Sequence, residues 1–222
     1  MGAGPLRRPL CHGLAAAGGG RHRARGAASS IIARMKLAIL DRDGTLNATG
    51  EGFISTPDEW VPMPGALEAV ARLNHAGWHV AVATNQPGLG RGLFDVLALN
   101  AVHARMHRLL AAVGGRIDAV FYCPHAPDEG CACRKPAPGL LEQIRDRYGM
   151  EGEDILVVGN CAEHLQAGAA IGAQLHAVGP AQEGVPAAAA AAWPPGLQRH
   201  ASLADFADRV LAGGARPPPA GG

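Results

Sequence analysis

Two short stretches of this sequence carry side chains that could do chemistry together. In Asp41-Arg42-Asp43-Gly44-Thr45 two carboxylates lie two residues apart. If the backbone turns there, which Gly44 permits, one carboxylate can attack an electrophile while the other handles protons. An Asp-x-Asp by itself is commonplace in polar loops, so the pattern draws its weight from the apolar run before it and the Gly-Thr after it. In Cys123-x-His125 and Cys131-x-Cys133, three thiols and one imidazole fall within eleven residues. Four ligands close around a tetrahedral ion and leave no position for water, which points to structural rather than catalytic zinc; reduced cysteines or a disulfide are the alternatives.

Three further groups suit an anionic substrate. Thr84-Asn85-Gln86-Pro87-Gly88-Leu89-Gly90-Arg91-Gly92 offers a hydroxyl, an amide and glycine-exposed N–H groups that could cradle a phosphate, with Arg91 in reach of a second anion; an ordinary glycine-rich loop is the plain alternative. Lys135 follows the cysteines directly and could neutralise a phosphoryl group beside an attacking carboxylate. Without such a counter-charge, a like-charged pair about 4 Å apart costs about 4 kcal/mol at an effective dielectric near 20.

Short apolar runs must place these groups. Lys36–Asp41, His79–Thr84, Asp118–Tyr122, Asp154–Gly159 and Gln174–Val178 read as strands covered on both faces. Helical spacing separates them: Leu99, Val102, Met106, Leu109, Leu110 and Val113 form one stripe behind an Asp95 N-cap, and Pro138 and Gly149 bracket another helix. Alternating strands and helices predict an α/β fold with a doubly wound parallel sheet, in which ligands sit at the carboxyl ends of the strands. Asp41, Thr84, the Cys123 loop and Asn160 all fall at such ends.

The chain has 222 residues, 48% hydrophobic and 18% charged, which suits one α/β domain with flexible ends. No apolar run reaches the roughly 20 residues needed to span a bilayer. Arg7, Arg8, Arg21, Arg23, Arg25 and Arg34 precede Met35, and no acid occurs before Asp41. Without those six arginines 14 basic residues face 19 acidic ones, a net of −5, which argues against a nucleic-acid partner. Residues 1–34 read as a disordered extension, either a transit peptide or a start codon placed too early. Residues 35–179 form the expected core, 180–199 an Ala/Pro-rich linker, 200–212 a C-terminal helix and 213–222 a disordered tail. Cys11 and Cys161 have no evident partner, which fits a reducing, cytoplasmic setting, and the protein is expected to be monomeric.

The four motifs, in order, resemble those of the D-glycero-D-manno-heptose 1,7-bisphosphate 7-phosphatases of the haloacid dehalogenase superfamily. The match runs from about Lys36 to Val178 and includes Arg134-Lys135-Pro136-Ala137-Pro138-Gly139. The histidinol-phosphatase branch is similar in its first motif and zinc loop, and Arg91-Gly92 favours the heptose branch. The resemblance implies that Asp41 forms an aspartyl-phosphate, that Asp43 is the acid and base, and that Thr84, Asn85 and Lys135 hold phosphoryl oxygens. It assigns the sugar to Arg91, Arg134 and the loop residues Gln86 and Pro87. Gly52-Phe53 would form a small flap, with no large cap domain. Magnesium would rest on Asp41, the Asp43 main-chain carbonyl and position 160, and zinc on Cys123, His125, Cys131 and Cys133.

The fourth motif departs from the pattern. Val158-Gly159-Asn160-Cys161-Ala162-Glu163-His164 has Asn160 and His164 where two aspartates are expected. An amide can offer magnesium an oxygen but no charge, and Glu163 is the nearest carboxylate that could substitute. A sugar phosphatase with a weakened magnesium site, a histidinol-phosphate-type phosphatase and a catalytically inert binding module are the three resulting readings.

Overall fold

The computed structural model describes residues 35–50, 52–179 and 192–213. The expectations for residues 1–34, for most of the linker and for all but the first residue of the tail fall outside that range. Six strands form one all-parallel sheet: β1 (Lys36–Leu40), β2 (Trp78–Asn85), β3 (Ala119–Cys123), β4 (Ile155–Gly159), β5 (Gln174–Val178) and β6 (Gln198–His200). Their order across the sheet is β3-β2-β1-β4-β5-β6. The chain thus winds outward from β1 in one direction and then from β4 in the other. The crevice between the carboxyl ends of β1 and β4 is the topological switch point, where open α/β sheets bind ligands.

Side chains alternate across a strand, and both sides of β1 are apolar because both are covered. Ala38 and Leu40 point into one core with Val80, Val82 and Val158, closed by α1 (Ala66–His75), α3 (Val96–Ala112) and α6 (Leu203–Ala212). Leu37 and Ile39 point into the other with Ala81, Ile155 and Val157, beneath α4 (Gly139–Tyr148) and α5 (Ala162–Ala170). A further helix, α2 (Pro87–Gly90), is a single turn after β2. Asp95 caps α3 as its sequence predicts, accepting from Ala98 N at 2.8 Å.

The largest departure from the sequence reading is at the C-terminal side. Gln198–His200, expected as the end of the linker and the first residue of the C-terminal helix, pairs parallel to β5 and extends the sheet. A three-residue polar segment carries no apolar period to reveal it. Its neighbour α6 starts at Leu203 with Ser202 capping it, and Phe206 is fully buried, a contribution of about 1.5–3 kcal/mol. Between β1 and α1 the chain forms only a loop and one 3-10 turn (Pro57–Glu59), which leaves no room for a cap domain.

Candidate active site

Asp41 leaves β1 at the switch point, with its N–H tied to Val158 O of β4 at 3.0 Å. Its side chain is 8% exposed. Oδ1 lies 2.7 Å from Lys135 Nζ and accepts from Arg42 N at 2.8 Å, while Oδ2 accepts from the Cys161 thiol at 3.2 Å. Burial pushes the Asp41 pKa up, but the Lys135 charge and hydrogen bond outweigh it and hold the group below the usual carboxylate range. Asp41 is therefore anionic at neutral pH. Burial, and then the Asp41 charge, push the Cys161 thiol up to about 12, so it is a neutral donor.

Lys135 reaches this position because three acceptors surround its ammonium. Besides Asp41, Nζ donates to Ala83 O at 2.8 Å and to His164 Nδ1 at 3.1 Å. His164 is fully buried in the first turn of α5, and its Nε2 faces Ile39 O at 3.3 Å. Burial and then the Lys135 charge lower its pKa to about 3, so the ring is neutral, with Nε2–H donating and Nδ1 accepting. Asn85 fixes the lysine from the backbone side: Nδ2 donates to Lys135 O and Oδ1 accepts from Lys135 N, both at 3.0 Å. Expected to hold a phosphoryl oxygen, Asn85 instead has both ends of its amide engaged in placing Lys135.

The second carboxylate is held by Arg42 and Asn47, which the sequence reading passed over, and by Gln86, which it assigned to the sugar. Arg42, fully buried, donates from Nε to Asp43 Oδ1 and from Nη2 to Oδ2, each at 3.0 Å. Asn47 Nδ2 and Gln86 Nε2 add donors at 3.0 and 3.1 Å. Gln86 also bridges to Thr84 Oγ1 at 2.9 Å, linking the ends of β1 and β2. The far side of Arg42 meets His103 Nε2 of α3 at 3.2 Å; burial, then the Arg42 charge, lower the His103 pKa to about 4 and keep it a neutral acceptor. The signal for Arg42 lay in its place between two acids at a strand end, where one side chain must turn inward.

A cavity of about 240 Å³ opens over Asp43 and is lined by Thr49, Gly52, Phe53, Asn85, Gln86, Pro87 and Arg134, among others. Six of the residues expected at the substrate, Gly52, Phe53, Asn85, Gln86, Pro87 and Arg134, thus converge. The seventh, Arg91, stands 5.9 Å over the Phe53 ring, at the flap rather than in the cavity wall. Arg134 Nη1 is buried without a hydrogen-bond partner, a donor waiting for an anionic or hydroxyl-bearing ligand. A larger hollow of about 870 Å³ beside α2 and α3 contains neither carboxylate, and chemistry decides between them in favour of the smaller.

Cys123, His125, Cys131 and Cys133 converge as expected, with their ligand atoms all within 4.8 Å of one another. The three sulfurs are 3.2–3.5 Å apart, and His125 Nδ1 lies 3.5 and 3.2 Å from Cys123 and Cys133. A tetrahedron with bonds of about 2.3 Å has edges of about 3.7 Å. The loop anchors the site, because Gly90 N donates to Pro124 O at 2.9 Å and Lys135 leaves it two residues after Cys133.

The profile of the haloacid dehalogenase-like hydrolases matches residues 47–172. The chain belongs to that family. Over 138 residues it is 54% identical to the D-glycero-beta-D-manno-heptose-1,7-bisphosphate 7-phosphatase of Bordetella bronchiseptica, covering 62% of this chain and 77% of the relative. The enzyme of the same name from Pseudomonas aeruginosa is 50% identical over 138 residues, 62% of this chain and 78% of its own. The crystal structure of the B. bronchiseptica D,D-heptose 1,7-bisphosphate phosphatase, complexed with magnesium and phosphate, superposes with a TM-score of 0.74 at 47% identity, covering 80% of this chain and 99% of that one.

Membership in the haloacid dehalogenase-like hydrolases implies magnesium, and the structure allows a test of fit. The Asn160 amide is pressed against the turn after Asp41: a Cβ added at Gly44, whose φ is +75°, would lie 2.0 Å from Asn160 Nδ2 and 2.8 Å from Oδ1. Asp41 Oδ2, the Asn160 amide oxygen and the Asp43 main-chain carbonyl would offer the kind of all-oxygen donors that magnesium prefers. Glu163 does not join it. Its side chain is exposed, and among the described residues no carboxylate cluster includes it. His164 faces Lys135 instead of the cation position.

Proposed function

We propose that this chain hydrolyses the 7-phosphate of D-glycero-β-D-manno-heptose 1,7-bisphosphate, as the names of its relatives suggest. The observation that carries the reading is the buried Asp41 carboxylate at the switch point, charge-paired to Lys135 at 2.7 Å. An Asp41 oxygen attacks phosphorus, the bond from phosphorus to the C7 oxygen breaks, and the leaving oxygen takes a proton from Asp43. Water, deprotonated by Asp43, then cleaves the aspartyl-phosphate and frees phosphate. Four donors, two from Arg42 and one each from Asn47 and Gln86, hold the Asp43 carboxyl in place for both steps. Lys135 offsets the negative charge that gathers as carboxylate and phosphoryl group approach.

Bound magnesium would rest on Asp41, Asn160 and the Asp43 carbonyl and would supply further charge neutralisation. Arg134, with its unpaired Nη1, and Arg91 beside Phe53 would select the sugar and its second phosphate. Zinc on the four-ligand loop would be structural, keeping Lys135 in place. Among the described residues no helix is long and apolar enough to cross a membrane, and the free thiol of Cys161 suits a cytoplasmic monomer.

A phosphate-release assay comparing heptose bisphosphate with histidinol phosphate, magnesium titrated in each, tests the reading. The expected kcat/KM is at least tenfold higher for the heptose; a preference for histidinol phosphate would reassign the substrate, and no release from either would support the inert reading.

A further inference from the structure

The cation site carries almost no charge of its own. Of its three oxygen donors only Asp41 is ionised, and Lys135 already sits 2.7 Å from Oδ1. That ammonium has no freedom to withdraw, since Ala83 O and His164 Nδ1 hold it and His164 is in turn fixed on Ile39 O. The neighbouring groups do not restore the balance. Asp43 is paired with Arg42, Glu163 is exposed, and His164 faces the Lys135 ammonium rather than the cation position. A divalent cation arriving first would meet a carboxylate whose charge the Lys135 ammonium already neutralises, against the loss of a tightly held water shell. A phosphoryl dianion arriving first meets the Lys135 ammonium and brings two negative charges.

We propose that in this chain the two ligands bind in order, the phosphoryl group first and magnesium only onto the phosphate-loaded site. The proposal deepens the phosphatase reading and rests on it. It makes the cation and the phosphate strongly synergistic, each tightening the other by one and the same factor. Asn160 is the residue that sets this dependence. Its amide already touches the Asp41–Gly44 turn, so an isosteric carboxylate would fit there and give the cation a second charge without help from phosphate.

The test is direct binding, with no turnover. Manganese(II), an EPR-visible stand-in for magnesium, is titrated into the full chain, purified without chelators, in the absence and presence of saturating inorganic phosphate. For the wild type, phosphate is expected to tighten manganese binding at least tenfold. Asn160→Asp should bind manganese without phosphate at least tenfold more tightly than the wild type, and its gain from phosphate should shrink. Equal manganese affinity with and without phosphate in the wild type overturns the proposal while leaving the phosphatase reading intact, and so does an Asn160→Asp protein whose phosphate-free affinity is unchanged. If the wild type binds neither ligand even when both are present, the phosphatase reading fails and takes the proposal with it.

Discussion

Replacing Arg42 by lysine keeps a positive charge in the buried site but removes the planar fork that grips Asp43 at 3.0 Å through both nitrogens and reaches His103 with the third. A lysine ammonium at the end of an unbranched stem can satisfy one of those three acceptors well. Hydrogen bonds to charged groups are worth about 1.5–3 kcal/mol each, and the lower end applies because the Asp43 side chain is 31% exposed. A net loss of about 2–3 kcal/mol would lower the melting temperature by roughly 4–12 °C for a chain of this size. The effect on chemistry follows from position. An Asp43 carboxylate displaced by about 1 Å would slow turnover on the order of 10²-fold, within the roughly 10²–10⁴ that acid–base assistance supplies. KM should move little, because Arg42 does not itself line the cavity. Steady-state phosphate release and a thermal melt, run on the same preparation, measure both effects. An Arg42→Lys enzyme with wild-type kcat would refute the argument that Arg42 orients Asp43.

Other consequences follow from the same geometry. Freshly purified, never-chelated protein should carry about one zinc per chain by elemental analysis, and Cys131→Ser should lose it, melt earlier and lose activity through misplacement of Lys135. Phe53→Ala removes the ring under Arg91, an exposed cation–π contact of about 0.5–1 kcal/mol, so KM should rise roughly two- to fivefold with kcat unchanged. Burial, followed by the Arg42 charge for His103 and by His200 for His176, depresses both imidazoles to about 4. Because the unfolded chain takes up their protons first, the stability they support is full above about pH 6.5 and lost as pH falls toward 4. Each should cost about 1.4 kcal/mol per pH unit in that window, so melting temperature should drop clearly between pH 7 and 5.5, and a flat profile would contradict their burial in neutral form.

Much of this site was legible in the sequence because its chemistry is local. Asp41 and Asp43 share one strand end, and the four zinc ligands share one loop, so residue type and spacing sufficed. What the sequence concealed is the set of contacts made across the sheet. Asn85 reaches Lys135 fifty residues on, and His164 reaches the same lysine from the opposite side of the sheet centre. Arg42 is a charged side chain with no solvent exposure, against every prior for arginine, and only the convergence of Asp43 and His103 explains it. The sixth strand was hidden for a different reason, since Gln198–His200 is placed by pairing with β5 and by α6 packing behind it rather than by its own composition.

The central claim is that Asp41 attacks the phosphorus at C7 of a heptose bisphosphate. Phosphorus NMR of the reaction mixture, run with wild-type protein and with Asp41→Asn, tests it most directly. The account predicts one inorganic phosphate per sugar with the wild type, the anomeric phosphate resonance retained in the product, and no release with Asp41→Asn, since an amide cannot serve as the nucleophile. Loss of the anomeric phosphate in place of the one at C7, or appreciable release by the Asp41→Asn protein, would contradict it.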